Sequence, residues 1–539
     1  MSPTLLCKET QKVLTFTGLM ILFLSFIPSS PHIFCLVSNL DHSQRGILED
    51  PLLPSPTENV TIATEEVGDQ QLFWVLYPSG AEQELATLLS VGTHCYIYME
   101  NSCIETLGEF AAFSECEQFR EAFDSDIYLK GTELAGNPNG TLGDIDGDPK
   151  VTIYVGPFLE KSGGLLAGFY EAMNDLEGDY SNYREMIFID VTRPITEAIC
   201  TIIHEFNHLI WFNHEMDEAY FLLEGLANLA IQYTGYSSLI VDEQVRRFTH
   251  NPEDSLLFFN RIADNYYWDV SYGQSYLFVT YLYERFGVDF IRSLVSIPED
   301  GAIAIDVALS NGGYNLTFND VYLDWIVACT LDNTEIYEGI YGFSSVDYTI
   351  DCRYSIADYP IELSNIKFNY YGIHARRLHS PTDNMALKIE CPISCCIGIA
   401  IAVLDDEGWH VTQTLHIENS TEITEHIEGT NVQAVYIMTS LMSKNTPSIF
   451  GLIYDLDETP SLDLDYSISS MLTTSTTSTP TMSTTATTMT TTTDMTITTS
   501  PSTSLSNQGA DSLMTMVIGI GVGGIIVLVI LLIIAKKKP

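Results

Sequence analysis

Positive charge is what this chain has least of. Of its 539 residues, 23 are Lys or Arg against 71 Asp or Glu, a formal net charge of −48. Nucleic acid is bound by neutralising its phosphates with Lys and Arg, so this balance excludes it as a partner. An acidic surface kept soluble by self-repulsion fits better, with attraction of cations or basic peptides as the lesser reading. Other absences are local. The apolar run from Val13 to Ile27, preceded by Lys8 and Lys12, is short for a membrane span and has no small-x-small cleavage site after it. Residues 1–36 therefore read as a secretory signal, with an uncleaved anchor as the alternative. Residues 37–70 are polar and carry Pro51, Pro54 and Pro56, which suits a loose linker or pro-segment. From Ser467 to Ser506 the chain is almost only Thr, Ser, Met and Pro, a composition that cannot build a core and reads as a stalk.

Against these absences stands one dense stretch, Thr201 to Trp211. It contains His204-Glu205-Phe206-Asn207-His208, an H-E-x-x-H. Positions four apart on a helix share a face, so His204 and His208 can offer two imidazole nitrogens to one ion. Glu205 then stands where a general base would meet a metal-activated water, the chemistry of zinc peptidases. Taken alone, the pentapeptide also suits an amphipathic helix with partly exposed histidines. Its context points elsewhere. Pro194 and Glu197 suit a first helical turn. Ile199, Ile202, Ile203, Phe206 and Ile210 follow at helical spacing, so the helix is mostly buried and its ionisable residues need partners.

Two residues compete as third ligand. His214 stands where H-E-x-x-H-x-x-G-x-x-H has its last histidine, but Trp211 occupies the glycine that would turn the chain out of the helix. Glu224 lies in a second helical pattern, from about Glu218 to Tyr233, and completes a His-His-Glu set with the fourth zinc position left open. Glu224 is favoured on the missing glycine. Asn228, one turn further, can hold a zinc histidine by its other ring nitrogen. Cys200, one turn before His204, reads as a small packed residue, with a zinc-competing thiolate as the alternative. A second cation, calcium, has Asp144, Asp146 and Asp148 as its candidates. Pro149 and Val155 replace the glycine and glutamate of an EF-hand loop, so a plain Asp/Gly turn before a strand is favoured.

Five pieces, in order, carry a family resemblance: Gly143–Asp148, Ser181–Asp190, His204–Ile210, Leu223–Leu226 and Tyr272–Phe278. Over roughly residues 70 to 345 the chain resembles the gluzincin metallopeptidases, more narrowly the hyicolysin-like and immune-inhibitor-A-like secreted proteases. The resemblance implies an α+β, thermolysin-like zinc peptidase domain and a zinc endopeptidase acting on proteins or peptides. His204, His208 and Glu224 would be the ligands and Glu205 the base, with Tyr272, by its position, supporting the oxyanion. Asn228 departs from the family's frequent Asp. Glu171-Ala172-Met173-Asn174 lacks the acid with which the aminopeptidase branch grips a free amino terminus. The rival reading is an inactive peptidase-like surface adhesion or binding protein, which the stalk and acidic surface also fit.

The remaining texture sets the expected domains. Short strands are expected at Val91–Met99, Val151–Val155 and Met186–Asp190, leading into the helices rather than alternating with them. After about residue 346 long helical patterns stop, and strand-like runs split by turns suit a β-sandwich. Residues 513–535 are long and apolar enough to span a bilayer, and Lys536, Lys537 and Lys538 mark the cytoplasmic side. The expected order is signal 1–36, linker 37–70, zinc peptidase domain 71–345, β-sandwich 346–460, stalk 461–512, transmembrane helix 513–535 and tail 536–539, a type I single-pass cell-membrane protein. Sequons at Asn59, Asn139, Asn315 and Asn419 agree with export. So would disulfides, with Cys95 to Cys103 or Cys116, Cys329 to Cys352, and Cys391 to Cys395 or Cys396 as near pairs.

Overall fold

Two hydrophobic cores organise the computed structural model, which describes residues 65–447 and 461–470. Residues 78, 141–143, 165, 177, 217, 260–264, 353, 357–359, 394 and 417–420 and the side chains of 265–268, 354 and 355 are excepted.

The first core lies on a six-stranded sheet. Its strands are β1 (Gln70–Tyr77), β2 (Gly80–Val91), β3 (Cys95–Glu100), β4 (Val151–Gly156), β5 (Gly168–Tyr170) and β6 (Met186–Asp190), in the order β1-β2-β3-β4-β6-β5. β1, β2 and β3 form an antiparallel meander. β3, β4 and β6 are parallel neighbours, and β5 closes one edge antiparallel to β6. Parallel neighbours require a crossover. Between β3 and β4 it is supplied by α1 (Asn101–Leu107), α2 (Glu109–Ala122), a π turn at Phe123–Ile127 and α3 (Tyr128–Ala135). The fold is therefore mixed α/β, which corrects the expected α+β gluzincin layout. In the sequence only Cys116 to Phe123 has helical character, because the buried positions of the crossover include Cys103, Ala112, Cys116 and Ala122, small side chains that blur a helical apolar stripe.

Helices α4 (Ile195–His214), α5 (Tyr220–Thr234), α6 (Leu239–His250), α7 (Asn265–Phe286), α8 (Val288–Leu294), α9 (Gly301–Asn311) and α10 (Phe318–Leu331) complete this half. Two glycines let them approach closely. A Cβ on Gly273 of α7 would lie 2.1 Å from the Gln244 carbonyl oxygen of α6, and one on Gly225 of α5 would lie 2.6 Å from the Ser275 carbonyl oxygen. Alanine at 273 improves helix propensity by about 1 kcal/mol, but it forces two backbones apart. Gly273→Ala is expected to destabilise the protein by about 1–3 kcal/mol, read as a lowered urea midpoint.

Glu218 joins two helix starts. Its Oε1 accepts from the Ala219 amide at 2.6 Å, just before α5, and from the Gly301 amide at 2.7 Å, the first residue of α9. Oε2 is buried without a hydrogen bond among the described residues. Burial first, and the nearby Asp300 and Glu215 carboxylates after it, push the Glu218 acid up to about 8 against the two amides. Between the ordinary 4.5 and about 8, the folded state keeps a proton that the unfolded chain has released. Stability from this group is thus complete below pH 4.5 and lost as pH rises through 8. Glu218→Gln, neutral throughout, is expected to flatten this part of the pH profile when urea unfolding is compared at mildly acidic and mildly basic pH.

The second core lies between two sheets. β13 (Glu422–Glu428), β10 (Asn384–Glu390), β15 (Ser461–Ser470) and β8 (Ile361–Asn369) form one, in that order. β12 (Gly408–His416), β11 (Cys396–Asp405), β14 (Ala434–Met442), β9 (His374–Leu378) and β7 (Tyr354–Ile356) form the other. Met385, Leu387, Ile389, Leu464 and Ile468 from the first sheet pack with Ile397, Ile399, Ile401 and Val435 from the second. β11 is buried on both faces, which accounts for its unbroken apolar run. Its branched residues face the sandwich interior, whereas Ala400 and Ala402 belong to the core of the helical half. Gly398 comes within 2.8 Å of Leu323 on α10, as measured from an added Cβ.

Three further expectations are corrected. The stalk was placed from residue 461, but Ser461–Ser470 is a sandwich strand whose Leu464, Tyr466 and Ile468 are buried. The nine described cysteines are all free thiols, so none of the expected disulfides is formed. Cys95, Cys103 and Cys116 instead pack as small apolar groups in the first core, and Cys391 and Cys395 hydrogen-bond as thiols. Among the described residues no helix is long and apolar enough to cross a membrane. The longest, α7, carries Asp269, Glu284 and Arg285. This corrects the expected transmembrane helix and, with it, the type I cell-membrane placement. The segments they used, 1–36 and 513–539, lie outside the described residues, as does the rest of the stalk region, 471–512.

Candidate metal centre

α4 and α5 make the site. α4 begins after Pro194, carries Glu197 in its first turn and is buried on nearly all sides from Glu197 to Asn213. Such a helix runs through a core rather than across it. Glu197 accepts from the Ser238 hydroxyl at 2.8 Å and the Leu239 amide at 3.0 Å, which ties the start of α4 to the start of α6. α5 is buried from Tyr220 to Ile231 and stops at Gly235. There a φ of 93° lets the glycine amide bond back to the Gln232 and Ile231 carbonyls.

The spacing of four places His204 above His208 on α4 and Glu224 above Asn228 on α5. The two pairs meet in crossed order. His204 Nε2 is 3.2 Å and His208 Nε2 3.5 Å from Glu224 Oε2. His204 Nδ1 donates to Asn228 Oδ1 at 3.1 Å, and Asn228 Nδ2 donates to Gln244 Oε1 at 3.2 Å. The helices therefore run antiparallel at this point. His204, His208 and Glu224 form a group that could hold a metal ion, each offering one ligand atom within 4.8 Å of the others.

The donor chemistry fits a cation. Because Nδ1 of His204 carries the proton given to Asn228, its Nε2 presents a lone pair. That lone pair lies 3.0 Å from His208 Nε2, with the Glu224 carboxylate alongside. All three side chains are at most 3% exposed. Lone pairs and a carboxylate so close together, away from water, need positive charge among them. Two imidazoles and one carboxylate with a fourth position free suit zinc. With the rings protonated instead, burial still raises the Glu224 acid, but the adjacent positive charge of His208 and His204 overcomes it and brings Glu224 down to about 2. His204 is shifted down by burial, against the adjacent Glu224 carboxylate, which favours the charged ring.

Glu205 is fully buried beside this group, and within the described structure neither of its oxygens makes a close hydrogen bond, the Tyr170 main chain lying at the margin of one. Burial, then repulsion from Glu224, raises it well above the usual carboxylate range, with the Tyr170 main chain partly opposing. Tyr170 ends β5, the edge strand of the sheet, so that edge borders the candidate base.

The other candidates have contacts of their own. α4 continues through Trp211, and His214 Nε2 donates to the Asn137 carbonyl at 2.9 Å, away from the group. Cys200 donates to the Ser237 carbonyl at 3.5 Å, its thiol pushed up to about 12 by burial. Tyr272 on α7 packs edge-on to Phe259, ring centroids 5.0 Å apart, in a small cluster with Tyr220, the first residue of α5. Of the calcium candidates, Asp144 and Asp146 group with Glu185, which the sequence did not single out. Asp148 is taken up by the Tyr96 hydroxyl at 2.7 Å and the Lys150 amide at 3.2 Å. Gln244 was also missed, and no local spacing relates it to Asn228.

No protein-family model matches the chain, and no curated protein matches it. Three solved structures to which it is similar show faint likeness. Tripeptidyl peptidase 2 is 9% identical with a TM-score of 0.16, over 21% of this chain and 10% of its own. Legionella pneumophila aminopeptidase A, solved with aspartic acid, is 13% identical with a TM-score of 0.30, over 68% and 36%. A family GH115 4-O-methyl-α-glucuronidase is 8% identical with a TM-score of 0.14, over 54% and 46%. The chain thus spans less than half the length of each, and likeness at this level transfers neither fold nor activity. Nor does it assign the helical half to the gluzincin fold expected from sequence.

Proposed function

We propose that this protein is a zinc-dependent endopeptidase that hydrolyses proteins or peptides. One observation carries the reading: His204, His208 and Glu224 converge from two helices while the buried Glu205 carboxylate beside them makes no close hydrogen bond within the described structure. Those three residues would hold the ion. When bound, zinc supplies Lewis acidity, which lowers the pKa of water from 15.7 to about 7 and polarises a carbonyl. Glu205 takes the proton of the attacking water on its carboxylate. It then delivers that proton to the amine nitrogen that leaves as the C–N bond breaks. Asn228 keeps His204 protonated at Nδ1, so that Nε2 faces the ion.

The purified full-length protein is expected to carry one zinc per chain and to cleave casein in a way that 1,10-phenanthroline abolishes and added zinc restores. Absence of both bound zinc and chelator-sensitive cleavage would favour a non-catalytic binding protein and end this reading.

A further inference from the structure

We propose that Gln244 is a positioning residue for the metal centre: by accepting from Asn228 Nδ2 it orients the Asn228 amide and so sets the tautomer of His204. The inference rests on the metal-centre reading above. It begins from a property of amides. An aspartate at 228 would accept from His204 with either oxygen, whereas asparagine has one accepting end and one donating end. If the amide turned over, Nδ2 would face His204 Nδ1. The ring would then have to accept there and carry its proton on Nε2, the atom that lies 3.0 Å from His208 Nε2 and 3.2 Å from Glu224 Oε2. A protonated Nε2 cannot ligate a metal.

The arrangement resists that flip. Gln244 Oε1 stands 3.2 Å from Asn228 Nδ2 and accepts from it, which leaves Oδ1 for His204 at 3.1 Å. Asn228 and Gln244 are 1% and 2% exposed, so water cannot readily substitute for either contact. The backbone of Gln244 is itself held in place, because its main-chain carbonyl meets α7 at Gly273, where no side chain intervenes. Three helices thus contribute to the orientation of one imidazole. α4 supplies the ring, α5 the amide, and α6, braced by α7, the group that turns the amide.

The test uses the full-length protein with 15N-labelled histidine. Long-range 1H–15N correlations read the His204 tautomer in metal-free protein, and competition with a chelator reads zinc affinity. The parent is expected to hold His204 as Nδ1–H. Gln244→Met, which removes the acceptor at similar length, should mix the tautomers and weaken zinc binding about 10–100-fold. Gln244→Glu, which still accepts, should stay within a few-fold of the parent. Asn228→Asp/Gln244→Met should recover both readouts, since either carboxylate oxygen serves His204. If Gln244→Met does not fold, Gln244→Ala takes its place. Parental tautomer and affinity in Gln244→Met would overturn the proposal. So would a double variant that remains as impaired as Gln244→Met. A parent that binds no zinc, yet loses its Nδ1–H tautomer in Gln244→Met, leaves the positioning role standing and removes the peptidase reading alone.

Discussion

Glu205→Gln is expected to lower peptide hydrolysis by about 10²–10⁴-fold while zinc stays bound in full. The substitution keeps shape and removes only the ability to take up a proton. Glu205 is not one of the three converging ligands, and its charge opposes that of Glu224, so neutralising it does not weaken the metal group. Nor does it tax the fold. Burial already disfavours the ionised carboxylate, and a neutral amide at the same place is no harder to bury. Zinc content, a urea unfolding curve and casein turnover measured on one preparation separate the outcomes. Turnover equal to the parent's would remove Glu205 from the reaction. Lost turnover together with lost zinc would make it a structural residue.

Glu224→Ala should do the opposite, releasing the metal first. Two imidazoles remain, without the carboxylate that balances the ion's charge. The loss in affinity should exceed the roughly 100-fold that follows from disturbing a ligand's supporting hydrogen bond. A ligand that binds only the folded state stabilises it by about 4.1 kcal/mol at 1,000 times Kd. Zinc should therefore raise the Tm of the parent and leave that of Glu224→Ala unmoved. His214→Ala is the control. Its imidazole is occupied by the Asn137 carbonyl, so zinc should raise its Tm as it does the parent's. A zinc response lost in His214→Ala and kept in Glu224→Ala would exchange the two assignments.

Much of this centre could be read before any coordinates. A spacing of four states that two side chains share a helix face, and it relates His204 to His208 and Glu224 to Asn228 without reference to anything distant. Gln244 has no such relation to Asn228. The two are 16 residues apart on separate helices and meet because α5 and α6 both pack closely against α7. Glu185 was hidden in the same way, beside a strand and some 40 residues from Asp144 and Asp146 in the chain. The sheet was legible strand by strand, but its parallel order was not. Alternation identifies a strand and says nothing of its neighbour, and the crossover that sets β3 beside β4 packs through alanines and cysteines. β15 did carry a signal. Leu462, Leu464, Tyr466 and Ile468 alternate with polar residues, but the Ser- and Thr-rich composition that follows them masked it.

The position of β15 bears on how this polypeptide can be divided and on when it can finish folding. It lies inside its sheet, hydrogen-bonded to β10 on one side and β8 on the other, although it comes last of the nine sandwich strands in the chain. A chain ended at residue 460 would leave β8 and β10 with bare hydrogen-bonding edges facing a missing neighbour, an invitation to pair with other molecules. On the ribosome, the gap between β8 and β10 cannot be filled until Ser470 has emerged, long after α4 and α5 have left the tunnel.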